Sequence, residues 1–268
     1  MKRKIDVMGI VNLTEDSFYE GSRCSNVDSA LARVGQMLSE GADVIDIGAC
    51  STRPGSESVG PEEEWKRLAP VLKQIKEAYP SCRISIDTWW SDVVARVYDL
   101  IGDFIVNDIS AGEDDPMMLD MVGRLGLEYI AMHKRGNSAL MQSMTDYEDV
   151  TEAVKNYFEA FSVKAENAGI RTWVLDPGFG FAKTVGQNWK LLSEISSLKV
   201  SYNGYSPRLL VGVSRKSMIY KPLGISPEEC LPAVQAAHMA ALLNGADILR
   251  VHDVKEALQT ITLYNYLA

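Results

Sequence analysis

The sequence predicts a closed (β/α)8 TIM barrel on three observations: eight short apolar runs, longer amphipathic stretches between them, and a polar cluster directly after almost every run. The runs fall at residues 5–11, 44–47, 83–86, 104–106, 129–132, 172–175, 209–213 and 247–251. Helix-like segments span 27–40, 62–79, 116–125, 147–168, 189–198, 227–244 and a tail at 255–267. Three of these segments run into a glycine, Gly41, Gly169 or Gly245, before the next strand. Glycine closes a helix in the left-handed conformation at little cost, so these are helix stops.

Strands separated by helices pair in parallel through right-handed crossovers. Eight such units favour closure into a barrel over an open doubly wound sheet. The polar clusters sharpen that choice. They are Asn12-Leu-Thr, Ser51-Thr-Arg-Pro-Gly, Asp87-Thr, Asn107-Asp-Ile-Ser, His133-Lys-Arg-Gly, Asp176-Pro-Gly-Phe-Gly-Phe-Ala-Lys, Ser214-Arg-Lys-Ser and Arg250-Val-His-Asp. In a barrel all strand C-termini meet on one face, where the active site lies. An open sheet would spread the same residues along an edge. There is no linker, repeat or low-complexity segment, so residues 1–268 are expected to form one domain. The first strand begins near Met1, leaving little room for an N-terminal hairpin under the barrel.

A chain of 268 residues with 46% hydrophobic and 24% charged residues can bury a large core. Its net charge of −9 argues against a general nucleic-acid or membrane-surface binder, because both partners are polyanions. A small anionic substrate remains compatible, since a few Arg, Lys and backbone N–H groups make a local positive site. Cys24, Cys50, Cys82 and Cys230 are too far apart in sequence for a CxxC motif and read as reduced structural thiols. With no signal peptide and no apolar run near a spanning length of about 20 residues, a soluble cytoplasmic protein is expected.

Among the mouth residues, Asp87, Asn107 and Asp176 end strands 3, 4 and 6. Buried carboxylates need donors or a cation. Three short Asp/Asn side chains on one face suit an N–H-rich heterocycle edge, such as that of a guanine-like ring. Each Asp alone could instead cap the following helix. Arg215 and Lys216 follow strand 7, and Arg250 and His252 end strand 8, the usual phosphate side of this fold. Arg250 and His252 are two apart and so share a face. An Arg beside a His makes a diphosphate clamp, with Asn12 in reach from the neighbouring strand 1. The alternative for Arg250 is a surface pair with Asp253 or Asp247. The loops at 14–26 and 51–61 exceed ordinary βα connections and read as lids or binding loops, or else as passive surface excursions. His238 lies in an apolar helix and reads as a packed residue. His133 is placed to orient a substrate or a neighbour. A His-rich zinc site is not expected, and no Gly-rich dinucleotide or P-loop fingerprint follows strand 1.

Several of these stretches resemble the dihydropteroate synthase family of pterin-binding enzymes. They are Gly9-Ile-Val-Asn-Leu-Thr-Glu-Asp-Ser-Phe18, Asp46-Ile-Gly-Ala-Cys-Ser-Thr-Arg-Pro-Gly55, Ser85-Ile-Asp-Thr88, Asn107-Asp-Ile-Ser-Ala111, Met132-His133, Leu175-Asp-Pro-Gly-Phe-Gly-Phe-Ala-Lys183, Gly212-Val-Ser-Arg-Lys-Ser217 and Arg250-Val-His-Asp-Val254. Together they cover all eight strand ends in order.

The resemblance implies condensation of 6-hydroxymethyl-7,8-dihydropterin diphosphate with 4-aminobenzoate, giving 7,8-dihydropteroate and diphosphate. It places the pterin on Asp87, Asn107, Asp176 and Lys216, and the diphosphate on Asn12, Arg250 and His252, with Mg²⁺ at Asn12. It places 4-aminobenzoate among Thr52, Arg53, Pro54, Phe181, Lys216 and Ser217. The residues it makes catalytic are Asp87, Lys216, Arg250 and His252. It further implies a homodimer and a sulfonamide target. Two positions depart from the family, which usually carries Pro where Glu15 stands and Glu where Cys50 stands. Two other readings of the same residues are a methyltetrahydrofolate:corrinoid methyltransferase type and a non-catalytic pterin-binding paralogue. Neither of them needs the diphosphate set.

Overall fold

A computed structural model describes residues 3–13, 27–50, 59–136, 143–202 and 204–267. Eight strands alternate with helices: β1 (Asp6–Asn12), α1 (Val27–Glu40), β2 (Val44–Gly48), α2 (Pro61–Ala78), β3 (Ile84–Asp87), α3 (Ser91–Ile101), β4 (Ile105–Asp108), α4 (Met118–Leu125) and β5 (Glu128–Met132). There follow α5 (Val150–Asn167), β6 (Trp173–Asp176), α6 (Val185–Glu194), β7 (Arg208–Val211), α7 (Ser217–Leu223), α8 (Leu231–Leu243), β8 (Ile248–Val251) and α9 (Val254–Leu267). All strands pair in parallel and the sheet closes, β1 bonding both β2 and β8. Among the described residues no strand precedes β1.

Each strand has two faces of period two. The outward faces join the helices in the main core, from Val7 and Val11 round to Leu249 and Val251. The inward faces supply a separate apolar layer of Met8, Val44, Ile105, Ile130, Val174, Leu210 and Ile248. Two residues further along each strand, on the same face, stand Ile10, Asp46, Asn107, Met132, Asp176, Gly212 and Arg250. The barrel is thus plugged by hydrocarbon in the middle and turns polar one layer higher, where the site lies. Strand register aligns Asn12, Gly48, Asp87 and Asn107 side by side across β1 to β4 at that level.

The opposite end is also charged. Asp6, at the start of β1, pairs with Arg208 at 2.7 Å, Lys4 at 3.0 Å and Arg83 at 3.6 Å. Asp247, just before β8, accepts from Lys199 at 2.7 Å and from the Leu209 amide at 2.9 Å.

The structure redraws several expected helix bounds. The 147–168 helix starts at Val150, because Asp149 caps it by accepting from the Thr151 and Glu152 amides. The 189–198 helix starts earlier, at Val185, behind a Thr184–Gln187 capping box, and its last turn, Ile195–Leu198, is 3-10. The 116–125 and 227–244 segments begin in turns, and their helices start at Met118 and Leu231. Two helices, α3 and α7, were not among the expected segments. In α3 three valines, a type favoured in strands for its branched side chain, sit at helical spacing, burying Val93, Val94, Val97 and Ile101 on one face. Gly41, Gly169 and Gly245 all have positive φ, as their role as helix stops requires.

Candidate active site

The mouth is organised around Arg250. Its Nε donates to Asp46 Oδ2 at 2.7 Å, and its Nη2 lies 2.6 Å from the same oxygen and 2.9 Å from Asp87 Oδ2. Arg250 is therefore not in a surface pair. Asp253 instead binds Arg215 at 2.8 and 3.0 Å, and Asp247 binds Lys199 and Arg3. Arg215, with φ 56, ties the ends of β7 and β8 together through Asp253.

Asp46 is fully buried and takes both Asn107 Nδ2 contacts, at 3.2 and 3.3 Å. A carboxylate only accepts, so Asp46 fixes the Asn107 amide with its nitrogen inward and leaves the carbonyl oxygen as an acceptor for the site. Asp87 Oδ1 is buried and has no hydrogen-bond partner among the described residues. An orphaned buried acceptor is rare in a folded protein and marks a place for a donor. Asp176 has one oxygen bound to the Gly178 amide at 2.8 Å. Neither Asp caps the next helix: the cap position of α3 is Trp90, with no side-chain cap, and that of α6 is Thr184.

Burial raises the Asp87 carboxyl above its ordinary range, with Asp46, Glu64 and Asp108 adding to the rise and Arg250 opposing it. Asp176 is raised as well, by burial, against the pull of Lys216. Lys216, at the N-cap of α7, is brought down to about 8 by burial, Asp176 opposing. Its ammonium donates to the Phe179 carbonyl and stands 4.8 Å from the centre of the Phe181 ring. Ser217 opens α7 beside it.

His252 follows β8, and its Nδ1 lies 3.0 Å from Ser214 Oγ. Burial, then Arg250, Arg215, Arg33 and Lys216, lower it to about 3, so the ring is neutral at physiological pH. Asn12 ends β1; its Oδ1 and Asp87 Oδ2 lie 3.8 and 3.7 Å from where a Cβ on Gly48 would stand. That glycine keeps the space between the two side chains open.

The structure thus brings together Asp87, Asn107, Asp176, Lys216, Phe181, Arg250, His252 and Asn12 at one end of the barrel. Thr52, Arg53, Pro54, Glu15 and Cys24 lie outside the described residues. Cys50, Cys82 and Cys230 are free thiols, as expected. Cys50 Sγ donates to Glu64 Oε2 at 2.8 Å, and burial, then Glu64, push its thiol far above the reactive range. His238 is fully buried in α8, as a packed residue should be.

Asp46 escaped the reading of strand ends because it lies inside an apolar run, between Ile45 and Ile47. A carboxylate in an all-buried strand was the available signal. Lys183, packed against His133, escaped because its place in the chain looks like loop.

Comparison with known proteins gives the family. The pterin binding enzyme family model matches residues 8–252. The chain belongs to the dihydropteroate synthase family of pterin-binding enzymes. It is 38% identical over 257 residues to the dihydropteroate synthase of Escherichia coli (strain K12), covering 95% of this chain and 89% of that one. It is 41% identical over 256 residues to the folic acid synthesis protein fol1 of Pneumocystis carinii, covering 93% of this chain but 34% of that longer protein. The dihydropteroate synthase of Yersinia pestis, solved with a sulfonamide drug complex, superposes with a TM-score of 0.91 at 34% identity, covering 98% of this chain and 94% of that one. The chain is accordingly an enzyme, a transferase of folate biosynthesis. Among the described residues no helix is long and apolar enough to cross a membrane.

Proposed function

We propose that the barrel mouth condenses 6-hydroxymethyl-7,8-dihydropterin diphosphate with 4-aminobenzoate, releasing diphosphate. The observation that carries this reading is the orphaned, buried Oδ1 of Asp87 beside an Arg250 held by carboxylates. The first is an acceptor for a ring N–H, and the second is a cation at the phosphate side.

Asp87, Asn107 and Asp176 present acceptors to the pterin, and Lys216 supports the ring. In Arg250 the Nη1 group makes no hydrogen bond among the described residues, which leaves it for a phosphate oxygen. Neutral His252 donates a further hydrogen bond. As the pterin CH₂–O bond breaks, its electron pair leaves with the diphosphate, which Arg250 and His252 stabilise. Positive charge builds on the methylene and ring, where the Asp87 carboxylate stabilises it. The arylamine nitrogen then attacks that carbon and loses one proton. Phe181, Lys216 and Ser217, with Thr52, Arg53 and Pro54 from the second loop, hold the 4-aminobenzoate.

Among the described residues no group of three or more His, Cys, Asp or Glu could cage a metal. Magnesium commonly binds one or two protein oxygens and completes its shell with phosphate and water, and the amide oxygen of Asn12 fits that pattern. Mg²⁺ held there would neutralise charge on the departing diphosphate.

The protein is proposed to form one domain, cytoplasmic and homodimeric. The dimer reading rests on the family resemblance.

The test supplies the purified chain with dihydropterin diphosphate, Mg²⁺ and, in one arm only, 4-aminobenzoate. Diphosphate release that depends on the arylamine is expected. Binding without turnover, or corrinoid-dependent methyl transfer, would overturn the reading.

A further inference from the structure

The segment after β6 is wrapped around a buried ammonium. Lys183 is 5% exposed, and its Nζ has three partners: His133 Nδ1 at 3.0 Å, the Gly178 carbonyl at 3.0 Å and the Phe181 carbonyl at 3.1 Å. Three N–H groups meet three acceptors, and among the described residues no carboxylate lies within ion-pair distance. Where the Lys183 ammonium, which burial lowers to about 7, donates to it, His133, 2% exposed, accepts at Nδ1 and carries its proton on Nε2. Burial, then the charges of Lys183 and Arg135, lower it to about 2, which agrees with that assignment.

The segment needs such an anchor. Gly178, Gly180 and Ala182 all have positive φ, at 70°, 83° and 50°. For Ala182 that conformation costs about 1 kcal/mol or more and persists only when the surroundings impose it. A Cβ on Gly178 would come within 2.0 Å of the His133 carbonyl oxygen, so the two strand ends are in close contact. A second anchor acts from α6: Asn188 accepts from the Gly180 amide at 2.7 Å and donates to the Lys183 carbonyl at 3.2 Å.

The outer side of the same segment carries what Lys216 touches. The Phe179 carbonyl accepts its ammonium, the Phe181 ring lies beneath it, and a Cβ on Gly180 would sit 3.3 Å from its Cδ. Lys183 holds this segment through the Gly178 and Phe181 carbonyls, and Lys216 meets it through the Phe179 carbonyl.

We propose that Lys183 is a positioning residue for the arylamine half of the site: held by His133, it fixes the backbone that presents Phe181 and the Phe179 carbonyl to Lys216. The inference rests on the reading above that Phe181 and Lys216 line the 4-aminobenzoate pocket. Lys183 acts through that wall, so its loss falls mainly on the arylamine, reaching the pterin only through Lys216 and through the Gly178 amide that Asp176 accepts. The pterin acceptors Asp87 and Asn107, on β3 and β4, keep their places.

The test is a double-mutant cycle of Phe181→Leu and Lys183→Met in the full chain, reading kcat and both KM values. Lys183→Met should raise KM for 4-aminobenzoate about tenfold and move KM for the pterin diphosphate less than about twofold. In the Phe181→Leu background the same change should add less than about twofold, because both act through one wall. An equal rise in both KM values, or effects that multiply in the double variant, would overturn the inference. If Phe181→Leu leaves KM for 4-aminobenzoate unmoved, the pocket assignment falls and the inference with it. If Phe181→Leu raises that KM and Lys183→Met does not, the inference alone falls. Asn188→Ala, which releases the same segment at Gly180, stands in if Lys183→Met does not fold, and must give the same selective rise.

Discussion

At the underside of the barrel Asp6 is buried among Arg208, Lys4 and Arg83; at the mouth Asp87 is buried against Arg250 but also faces Asp46, Glu64 and Asp108. Burial alone would raise both carboxyls. At Asp6 the pull of Arg208 and Lys4 outweighs burial, and the net shift is downward. At Asp87 burial, with Asp46, Glu64 and Asp108 adding to it, outweighs the single guanidinium, and the net shift is upward. The same residue types thus give one acid among three cations at one end, its Oδ1 in an ion pair with Lys4 though without a hydrogen bond, and one cation among several acids at the other. Ion pairs hold strands in register; an acid short of donors is set to take them from a ligand.

The largest effect expected from this contrast comes from a crossed pair of substitutions. Arg250→Met should lower kcat/KM by about 100- to 1000-fold, since it removes a cation aimed at developing charge. Asp6→Asn should leave kcat/KM nearly unchanged and lower the urea-unfolding free energy by about 1–3 kcal/mol, as a buried ionic hydrogen bond is weakened. The reverse pattern, with activity lost at the underside and only stability lost at the mouth, would break the comparison.

A smaller effect separates the ends by pH. Asp6, with its folded value lowered, contributes stability above its unfolded value of about 3.9 and loses it only as pH falls through the lower folded value. Asp87, with its folded value raised, takes up a proton above the ordinary carboxylate range. Acidification should therefore cut kcat/KM for the pterin diphosphate while circular dichroism still reports a folded barrel. An acid limb that coincides with unfolding would remove the distinction.

Much of this was legible in the sequence because a barrel writes its site at strand ends. Asn107, Asp176 and Arg250 each follow an apolar residue of the inner layer two positions earlier, Asp87 follows the buried Ser85, and the period of two carries all four to the same face. What the sequence concealed needed the third dimension. Asp46 is hidden in a run of apolar neighbours, and its meaning comes from Arg250, which lies 204 residues away. Lys183 closes the polar cluster after β6, and its role comes from His133, 50 residues earlier in the chain. Helix α3 was masked by its valines, whose local preference for strand gives way to burial on one helical face. The residues expected on the second loop, Thr52, Arg53 and Pro54, lie outside the described structure and rest on the family resemblance.

Asp87 is proposed to be held short of donors so that its charge acts on the reacting pterin rather than only binding it. The most direct measurement sets kcat against the dissociation constant for dihydropterin diphosphate, by calorimetry, in Asp87→Asn. A loss of about 100-fold in kcat with a much smaller loss of affinity is predicted. Equal losses in both would show that Asp87 only binds the ring and would contradict the account.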